Sequence, residues 1–464
     1  MAEQTFDVVV IGGGPVGENA AARAVRGGLT AALVEHERFG GECSYWACIP
    51  SKALLRPGNL LAAVRRMPGV GEGAKLDPGA VFARRDSFVS NGDDSGQFEW
   101  ARGAGVEPVR AFARITGDRE VTLDDGRVLR ARHAVVVCTG SVPRDPGIEG
   151  LDRVPVWGSR EATTASEVPG RLAVLGGGVV GVEMAQAWAR LGSEVDLIVS
   201  GERPLPRYAP FAGDAVAEGL RADGVRVHLG VRAERVSTVD GGAVRLELSG
   251  GDHVDADKLL VATGRRPATD DIGLDVVGLE PGAPLRVGDD GQVSGVDGGW
   301  LYAAGDVTGR ALLTHQGKYA ARVVGDVVAA RARGERAEPV PWSRYAATAD
   351  HHAVPQVVFT DPEVASVGLT GAEGPEHRVL DLDIAVAGSA LHAEGYTGTV
   401  RMVVDTEREV LLGMTLVGQD VAELLHSATI AVVGEVPLRR LWHAVPSFPT
   451  ISEVWLRLLE EYGL

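Results

Sequence analysis

The residues best suited to chemistry are two cysteines, Cys43 and Cys48, in the segment of residues 40–52. Only three cysteines occur in the chain, which excludes a disulfide-stapled fold, and two of them lie in this one segment. Five residues of ideal helix rise about 7.5 Å, more than the roughly 4.4–6.8 Å between Cα atoms that a disulfide tolerates. A redox-active pair here therefore requires an irregular first helical turn. Such a turn at a helix N-terminus, with Lys52 close by, is expected to lower a thiol pKa.

Zinc binding is the main alternative use of paired cysteines. A zinc site would need two further close ligands, and the sequence around Cys43 and Cys48 supplies none. No metal site is predicted. The third cysteine, Cys138, lies within an apolar predicted strand and is expected to be a buried structural thiol.

A glycine-rich turn precedes the cysteines. A β-branched run at residues 7–11 leads into a turn that carries Gly12, Gly14 and Gly17, and an Ala-rich helical stretch follows. The glycines let the backbone approach a pyrophosphate, and the helix N-terminus offers unpaired N–H groups to the anion. A second apolar run ends in Glu35, 18 residues after Gly17, where a carboxylate binds ribose hydroxyls. Together these features predict a dinucleotide site.

The same pattern recurs in the middle of the chain. An apolar run at residues 171–175 leads into a turn with Gly176, Gly178 and Gly181, so two dinucleotide sites are predicted. The two copies align without gaps, and Val199 occupies the position of Glu35. The second site therefore lacks the ribose carboxylate.

The residues after the second site's last strand indicate which nucleotide it binds. Ser200, Arg203 and Arg207 supply a hydroxyl and two cations, which suit a 2′-phosphate. NADP(H) is therefore favoured over NAD(H).

Two further stretches fit the same scheme. Residues 135–140 and 259–264 each read as a strand that ends in a turn of small residues, as if each closed one dinucleotide fold. Thr139, Gly140 and Gly264 are accordingly predicted to lie at the cofactor sites.

At residues 40–52 the sequence resembles the flavoprotein disulfide reductases, which include dihydrolipoyl dehydrogenase, glutathione reductase and mercuric reductase. The resemblance covers essentially the whole chain, because residues 301–306 match the family's second FAD motif and residues 355–368 the start of its dimerisation domain. It implies an α/β fold with two Rossmann-like domains, for FAD and NAD(P), and a C-terminal α/β dimerisation domain. It also implies FAD as cofactor and a homodimer.

The resemblance assigns roles to individual residues. Cys48 would be the flavin-proximal thiol that makes a charge-transfer contact, and Cys43 the distal thiol that meets the acceptor. Asp306 would bind the ribityl chain, and Glu183 would pair with Lys52 beside the flavin N5.

The sequence departs from the family in the segment of residues 448–453. In disulfide-reducing members a histidine here acts as acid and base for the distal thiol, and such assistance typically contributes about 10²–10⁴-fold. Phe448 stands in its place, although Glu453, which matches the histidine's orienting carboxylate, remains. His443 is a possible substitute, but a solvated or packing role is expected for it. The family's mercury-specific second cysteine pair is missing from the C-terminus, which argues against mercury specialisation.

Three functions stay open for this sequence. The leading hypothesis is an NADPH-dependent reductase of a disulfide-type, small-molecule acceptor. The second is a quinone or metal-ion reductase, and the third is a non-enzymatic redox sensor or complex-bound flavoprotein. Tyr45 and Trp46 are expected either to shape an aromatic pocket over Cys43 or to pack at the dimer partner.

Composition and apolar patterning limit the expected partners and location of the protein. With 46 basic and 63 acidic residues the formal charge is −17, so nucleic acid and anionic membranes are not expected partners. No apolar run approaches the roughly 18 residues of a membrane span, and the N-terminus has no secretion signal pattern. A cytoplasmic location is predicted.

The chain length suits roughly three domains of about 150 residues each. We divide it into an FAD-binding part at residues 1–150, an NAD(P)-binding domain at 151–265, a return to the FAD domain at 266–336 and a dimerisation domain at 337–464. Residues 331–341 are rich in charge and proline and are predicted to be a linker.

Overall fold

A computed structural model of the chain describes residues 3–70 and 73–464. The N-terminus is predicted to carry no secretion signal, and its first two residues, Met1 and Ala2, lie outside the described residues. Within the described part no helix is long and apolar enough to cross a membrane.

The described residues form twenty-two β-strands, which are numbered here in chain order. They are β1 Glu3–Ile11, β2 Ala31–Glu35, β3 Val106–Arg110, β4 Ala113–Gly117, β5 Glu120–Leu123, β6 Val128–Val137, β7 Ser141–Pro143, β8 Val156–Trp157, β9 Arg171–Leu175, β10 Glu194–Val199, β11 Arg226–Leu229, β12 Ala233–Thr238, β13 Val244–Leu248, β14 His253–Ala256, β15 Lys258–Val261, β16 Arg265–Pro267, β17 Leu301–Ala303, β18 Gln356–Val358, β19 Glu363–Gly368, β20 His377–Asp383, β21 Thr399–Asp405 and β22 Val410–Gly418.

Fourteen α-helices accompany the strands over the same described ranges. They are α1 Pro15–Arg26, α2 Gly41–Tyr45, α3 Cys48–Arg65, α4 Pro78–Phe88, α5 Ser95–Gly103, α6 Ser159–Thr164, α7 Val179–Leu191, α8 Pro210–Ala222, α9 Thr314–Ala332, α10 Ala349–His352, α11 Ala387–His392, α12 Leu425–Val433, α13 Leu438–Leu441 and α14 Val454–Tyr462.

The chain separates into two compact units. Unit 1 takes the described residues of Met1–Pro50, Asp86–Arg144 and Arg265–Asp350, and unit 2 takes those of Ser51–Arg85, Asp145–Gly264 and His351–Leu464.

Unit 1 is built on one mixed sheet. Its parallel strands run in the order β3, β2, β1 and β6, with β17 also pairing β6, and the antiparallel strands β5 and β4 complete it. Side chains alternate between the two faces of β1, as a strand's period of two requires. Val8 and Val10 pack into the core beneath α1 and α9, whereas Val9 and Ile11 pack into a second core on the opposite face. The carboxyl ends of β1 and β2 thus open toward the turn before α1.

Unit 2 contains three sheets. A parallel sheet has the order β11, β10, β9, β15 and β8. Strands β12, β13 and β14 form a small antiparallel sheet, and β18, β19, β22, β21 and β20 form a five-stranded antiparallel one. The fully buried Trp188 of α7 lies in the core beside the parallel sheet.

The α/β class is confirmed, and the predicted strands fall inside β1, β2, β6, β9, β10 and β15. The linker prediction is wrong at its start. Arg331 belongs to α9, where its guanidinium donates to the Asp290 carboxylate at 2.6 Å and to the Tyr302 hydroxyl at 2.8 Å. The charge of Arg331 therefore ties a helix to the sheet and does not mark a solvated linker. The four-part domain division stays a prediction.

Candidate active site

The first glycine turn of unit 1 lies between β1 and α1. Gly12 has a φ of 104°, a left-handed conformation that favours glycine. A Cβ on Gly17 would overlap the carbonyl oxygen of Gly12, so the turn closes only without side chains at both positions. Gly14 caps α1 without a side chain, which leaves the helix N-terminus open to an anion.

Glu35 ends β2 beside this turn. Its Oε2 accepts the Gly13 N–H at 2.8 Å and its Oε1 accepts the Glu37 N–H at 2.7 Å. Burial raises the pKa of Glu35, but hydrogen bonds from the His36 ring and from these two N–H groups outweigh it and leave the pKa lowered. The buried carboxylate is therefore ionised and held in place to accept ribose hydroxyls.

A cavity of about 250 Å³ adjoins Glu35 within unit 1. Gly12 and Thr139 line it, together with the rings of His36 and Phe112, whose centroids lie 5.5 Å apart in an edge-on arrangement. A cavity with an ionised carboxylate at one end and two aromatic rings suits an adenosine.

Asp306 follows β17 and lies in a short polar chain in unit 1. The Ser141 hydroxyl donates to Asp306 Oδ2 at 2.6 Å, and Arg265 donates to that hydroxyl at 2.8 Å. Burial raises the pKa of Asp306 despite the lowering effect of Ser141 and Arg265. Ser141 directly follows Gly140, so its place after the turn at residues 139–140 is the signal that could have identified it.

These features of unit 1 fit FAD. The side-chain-free turn leaves room for a pyrophosphate, Glu35 and the adjoining cavity suit the adenosine, and Asp306 supplies a further, half-buried carboxyl group for a hydroxylated chain.

The cysteine pair lies where two helices meet in unit 1. Cys43 belongs to α2, which ends at Tyr45, and Cys48 is the first residue of α3. The break between the helices lets the two thiols hydrogen-bond to each other. The Thr314 hydroxyl lies 3.3 Å from the Cys48 Sγ. The predicted irregular turn is confirmed.

The predicted lowering of a thiol pKa is wrong for Cys43 in this dithiol form. The hydrogen bond with Cys48, followed by burial, raises the pKa of Cys43, although Thr314 and Lys318 act in the opposite direction. Two adjacent thiols compete for one negative charge, so the loss of a proton from one makes the second harder to remove.

Cys138 directly follows β6 and is 6 % exposed. Burial raises the pKa of its thiol to about 12, which keeps it protonated and unreactive.

The two aromatic residues between the cysteines are buried. Tyr45 and Trp46 pack with Val89, and the Arg38 guanidinium lies over both rings, 5.6 Å and 5.1 Å from their centroids. They therefore pack within their own unit and are not available to line an exposed pocket.

The second glycine turn lies in unit 2 and repeats the first. A Cβ on Gly181 would overlap the carbonyl oxygen of Gly176, and Gly178 caps α7 without a side chain. A Cβ on Gly177 would lie 2.7 Å from the Val199 side chain. In unit 1 the neighbour at this place is Glu35, so the gap-free alignment of the two copies agrees with the geometry.

The polar residues after β10 differ in their contacts and exposure. Arg203 donates to Asp214 Oδ1 of α8 at 3.0 Å, which holds its guanidinium on the protein. Ser200 and Arg207 are exposed. Gly264 lies in the turn predicted after β15. Its φ is 123°, and a Cβ added there would meet open space.

Lys52 and Glu183 form an ion pair within unit 2. Lys52 Nζ lies 2.6 Å from Glu183 Oε2, and the Phe359 N–H donates to Glu183 Oε1 at 3.0 Å. Glu183 is almost completely buried, and Lys52 Nζ lies 5.0 Å from the Phe359 ring centroid. The pair predicted from the sequence is thus formed and fixed by a backbone donor.

The C-terminal segment of unit 2 has no imidazole where the sequence has Phe448. The Phe448 side chain is 76 % exposed, and His443 is also exposed. Glu453 is buried, and its Oε1 accepts a hydrogen bond from Arg457 at 2.7 Å. Arg457 thus binds one oxygen of the carboxylate that the resemblance predicts as the orienting group of a histidine, and Oε2 has no hydrogen-bond partner among the described residues.

Several site residues were missed from the sequence: Ser141, Arg265 and Thr314. Each meets its partner across more than 120 positions of the chain. Among the described residues no group of three histidine, cysteine or acidic side chains could hold a metal ion.

Two family models match the chain. Residues 6–334 match the pyridine nucleotide-disulphide oxidoreductase family, and residues 354–458 match the dimerisation domain of the same family. Together they account for both glycine turns, the cysteine segment and the C-terminal sheet.

Curated relatives align along nearly the whole chain. A dihydrolipoyl dehydrogenase of Chlorobaculum tepidum is 34 % identical, covering 97 % of this chain and 95 % of that enzyme. A mercuric reductase of Lysinibacillus sphaericus is 29 % identical, covering 97 % of this chain and 81 % of that enzyme. Among solved structures, the HOCl-induced flavoprotein disulfide reductase RclA from Escherichia coli has a TM-score of 0.83 at 23 % identity and covers 98 % of this chain and 99 % of that one. That likeness concerns the fold.

Proposed function

The chain belongs to the pyridine nucleotide-disulphide oxidoreductase family, and on that premise we propose that it passes electrons from NADPH through FAD to the Cys43–Cys48 pair and on to a disulfide-type acceptor. Its relatives are flavin-dependent disulfide oxidoreductases, and the family binds FAD and a pyridine nucleotide.

The observation that carries the proposal is the contact between the two thiols. Across the break between α2 and α3, the Cys48 side chain is a hydrogen-bond partner of the Cys43 thiol, so the two sulfurs are neighbours. The Thr314 hydroxyl lies 3.3 Å from the Cys48 Sγ and also acts on the Cys43 thiol, so it lies beside both sulfurs. From the family resemblance, Cys48 is proposed as the sulfur next to the flavin, and Cys43 as the one that meets the acceptor.

The chain's own groups would hold the cofactor for this chemistry. When bound, FAD supplies a site that takes up a hydride from the reduced nicotinamide. Glu35 and Asp306 are proposed to bind its hydroxyl groups. Lys52 is proposed to act beside the flavin, with Glu183 fixing its ammonium group through the 2.6 Å ion pair.

The acceptor side supports an unusual substrate. Phe448 cannot exchange a proton, and Glu453, one of whose oxygens Arg457 binds, has no imidazole at position 448 to orient. Without an imidazole, the distal thiol lacks assistance that typically contributes about 10²–10⁴-fold. We expect an acceptor whose leaving thiol is already acidic, because such a thiolate departs without a proton donor.

The nucleotide preference rests on the second glycine turn. Val199 offers no carboxylate to a ribose, and the exposed Ser200 and Arg207 can reach a 2′-phosphate. Arg203 contributes less, because Asp214 already binds its guanidinium.

The dimerisation domain supports a homodimer. A thiol pair that NADPH recycles belongs in a reducing compartment, so the cytoplasm is the proposed location. The formal charge of −17 gives no support to nucleic acid or an anionic membrane as partner.

An anaerobic titration with NADPH tests the relay. We expect a long-wavelength band from a Cys48 thiolate beside the oxidised flavin, and we expect Cys43→Ser to retain or strengthen it, because the remaining sulfur is the flavin-proximal one. Absence of the band from both proteins would contradict the proposed Cys48 role. Cys138→Ser is the matched control, since that buried thiol takes no part.

A panel of acceptors separates the alternatives. Disulfides with acidic leaving thiols, such as an aromatic disulfide, should turn over faster than lipoamide or glutathione disulfide. Cys43→Ser should abolish the turnover of all of these disulfides. Quinone turnover that survives Cys43→Ser would favour direct reduction by flavin. If no acceptor, including Hg²⁺ and oxygen, exceeds about 0.1 s⁻¹, well below typical enzyme rates, a redox-sensing role becomes the better proposal.

A further inference from the structure

Glu18 is a buried acid for which the proposed relay has no use. It lies in the first turn of α1 and is 8 % exposed, and its Oε1 has no hydrogen-bond partner among the described residues. Burial without a hydrogen-bond partner disfavours the charged form of a carboxyl group, so its pKa rises. Burial raises the pKa of Glu18 to about 7, opposed by the Lys318 ammonium and reinforced by the Glu35 carboxylate.

Helix α9 brings Lys318 to this acid. The two helices α1 and α9 pack closely, and a Cβ on Gly317 would lie 2.6 Å from the Val16 side chain and 3.2 Å from the Gly305 Cα. Lys318 directly follows the point of contact on α9, and Glu18 lies two residues beyond Val16 on α1. All of these residues belong to unit 1.

The same helix α9 reaches the cysteine pair. Thr314 precedes Lys318 by four residues, so the two side chains lie one turn apart on the same helix face. The Thr314 hydroxyl contacts Cys48 Sγ at 3.3 Å, and the Lys318 ammonium acts electrostatically on the Cys43 thiol. Lys318 is therefore a cation shared between a buried acid and the distal thiol.

We propose that Glu18 and Lys318 are positioning residues that control the charge of Cys43 from within its own unit, in place of the imidazole that Phe448 cannot supply. The proposal rests on the proposed function in one respect, that Cys43 is the thiol that meets the acceptor.

Charge balance explains how the pair would work. While Glu18 is neutral, the Lys318 ammonium favours the Cys43 thiolate over the thiol. Once Glu18 ionises, its negative charge partly cancels the electrostatic effect of the Lys318 ammonium on Cys43. The Cys43 thiolate is then favoured less. The pH range of this exchange is centred near the Glu18 pKa of about 7.

Other titratable groups face the pair from each neighbouring element. Glu35 from β2 acts on Glu18, Glu18 acts on the Tyr45 hydroxyl from α2, and Cys48 from α3 acts on Cys43. Glu35 has a lowered pKa and Tyr45 a raised one, so neither changes charge near neutral pH. Of Glu18, Glu35 and Tyr45, Glu18 is the group whose pKa lies near neutral pH.

The test measures the rate at which iodoacetamide alkylates Cys43 in the FAD-loaded enzyme, reduced anaerobically with NADPH and analysed by peptide mass spectrometry. Glu18→Gln should match the wild type at about pH 5.5 and react about 3–10-fold faster at about pH 8.5, since one pKa unit of thiol stabilisation is tenfold in thiolate. Lys318→Met should react about 3–10-fold more slowly near pH 6, and Lys318→Arg should restore the rate.

Two controls make the result specific. Glu99→Gln removes an exposed acid of α5 and should leave the rate unchanged at every pH. In the Lys318→Met background, Glu18→Gln should lose its pH-dependent gain, and flavin absorbance should show that each variant is folded.

A ratio of Glu18→Gln to wild-type rates that stays constant with pH would overturn the proposal, as would a Lys318→Met enzyme that reacts like the wild type. Because alkylation needs no physiological acceptor, a failure of disulfide turnover leaves this outcome readable. The proposed function and the Glu18–Lys318 control can therefore fail separately.

Discussion

The two glycine turns share a backbone and differ at one side chain. In both, the third glycine packs against the carbonyl oxygen of the first, at Gly17 in unit 1 and at Gly181 in unit 2. Beside the first turn Glu35 accepts the Gly13 N–H, whereas Val199 fills the same place beside the second. The shared backbone suits the pyrophosphate common to all dinucleotides. On the proposed function, the residue that ends the second strand would select between nucleotides.

The largest expected effect comes from filling one turn at a time. In Gly17→Ala the new Cβ meets the Gly12 carbonyl oxygen, and such overpacking costs about 3 kcal/mol, which is about 100-fold in affinity. We expect the purified protein to lose most of its flavin, measured as absorbance per protein. Gly181→Ala should retain flavin but lose reduction by NADPH to the same extent.

Gly103→Ala is the matched control, because open space surrounds that glycine of α5. Loss of flavin in Gly181→Ala, or normal flavin content in Gly17→Ala, would contradict the assignment of one turn to each nucleotide.

A smaller effect is expected from giving the second turn the side chain of the first. Val199→Glu places a carboxylate where it accepts both ribose hydroxyls of NADH and repels a 2′-phosphate. The ratio of kcat/KM for NADPH to that for NADH should fall about 10-fold or more, equivalent to about 1.4 kcal/mol. Val199→Ala, which removes bulk without adding charge, should leave the ratio near its wild-type value. An unchanged ratio in Val199→Glu would show that β10 does not determine the preference.

The sequence predicts these turns well because their chemistry is local. Glycines a few residues apart, a following helix and an acid 18 residues later lie on one stretch of chain, and the duplication supplies an internal check at Val199. The irregular turn between Cys43 and Cys48 is equally local, since the rise of a regular helix would keep the two cysteines too far apart to pair.

The rest of the candidate site depends on contacts between segments that are distant in the sequence. Asp306 meets Ser141 across 165 positions and Cys48 meets Thr314 across 266, and no periodicity or spacing encodes such pairs. Glu18 reads in the sequence as an ordinary acid in a helix's first turn. Only the packing of α1 against α9 buries it and gives it Lys318 as a neighbour.

A still smaller effect is expected from the cations after β10. Arg207→Ala should raise the KM for NADPH about 10-fold and leave that for NADH unchanged, because only NADPH carries the 2′-phosphate. Arg203→Ala should change it about twofold, since exposed ion pairs contribute about 0–1 kcal/mol and Asp214 already holds this guanidinium. Equal effects of the two variants would contradict the division of labour between them.

The smallest expected effect is a pH response of the first turn that the second lacks. The pKa of Glu35 is lowered from its ordinary value of 4.5, so its contribution to FAD binding is complete above that value and is lost only as pH falls through the lowered pKa. From about pH 8 down to about pH 5 the affinity gap between wild type and Glu35→Gln should therefore change less than about twofold. Flavin fluorescence titrations of both proteins measure that gap. A gap that narrows between about pH 7 and about pH 5.5 would mean that the pKa of Glu35 is raised above its ordinary value of 4.5, and that the Gly13 and Glu37 N–H groups do not hold it ionised.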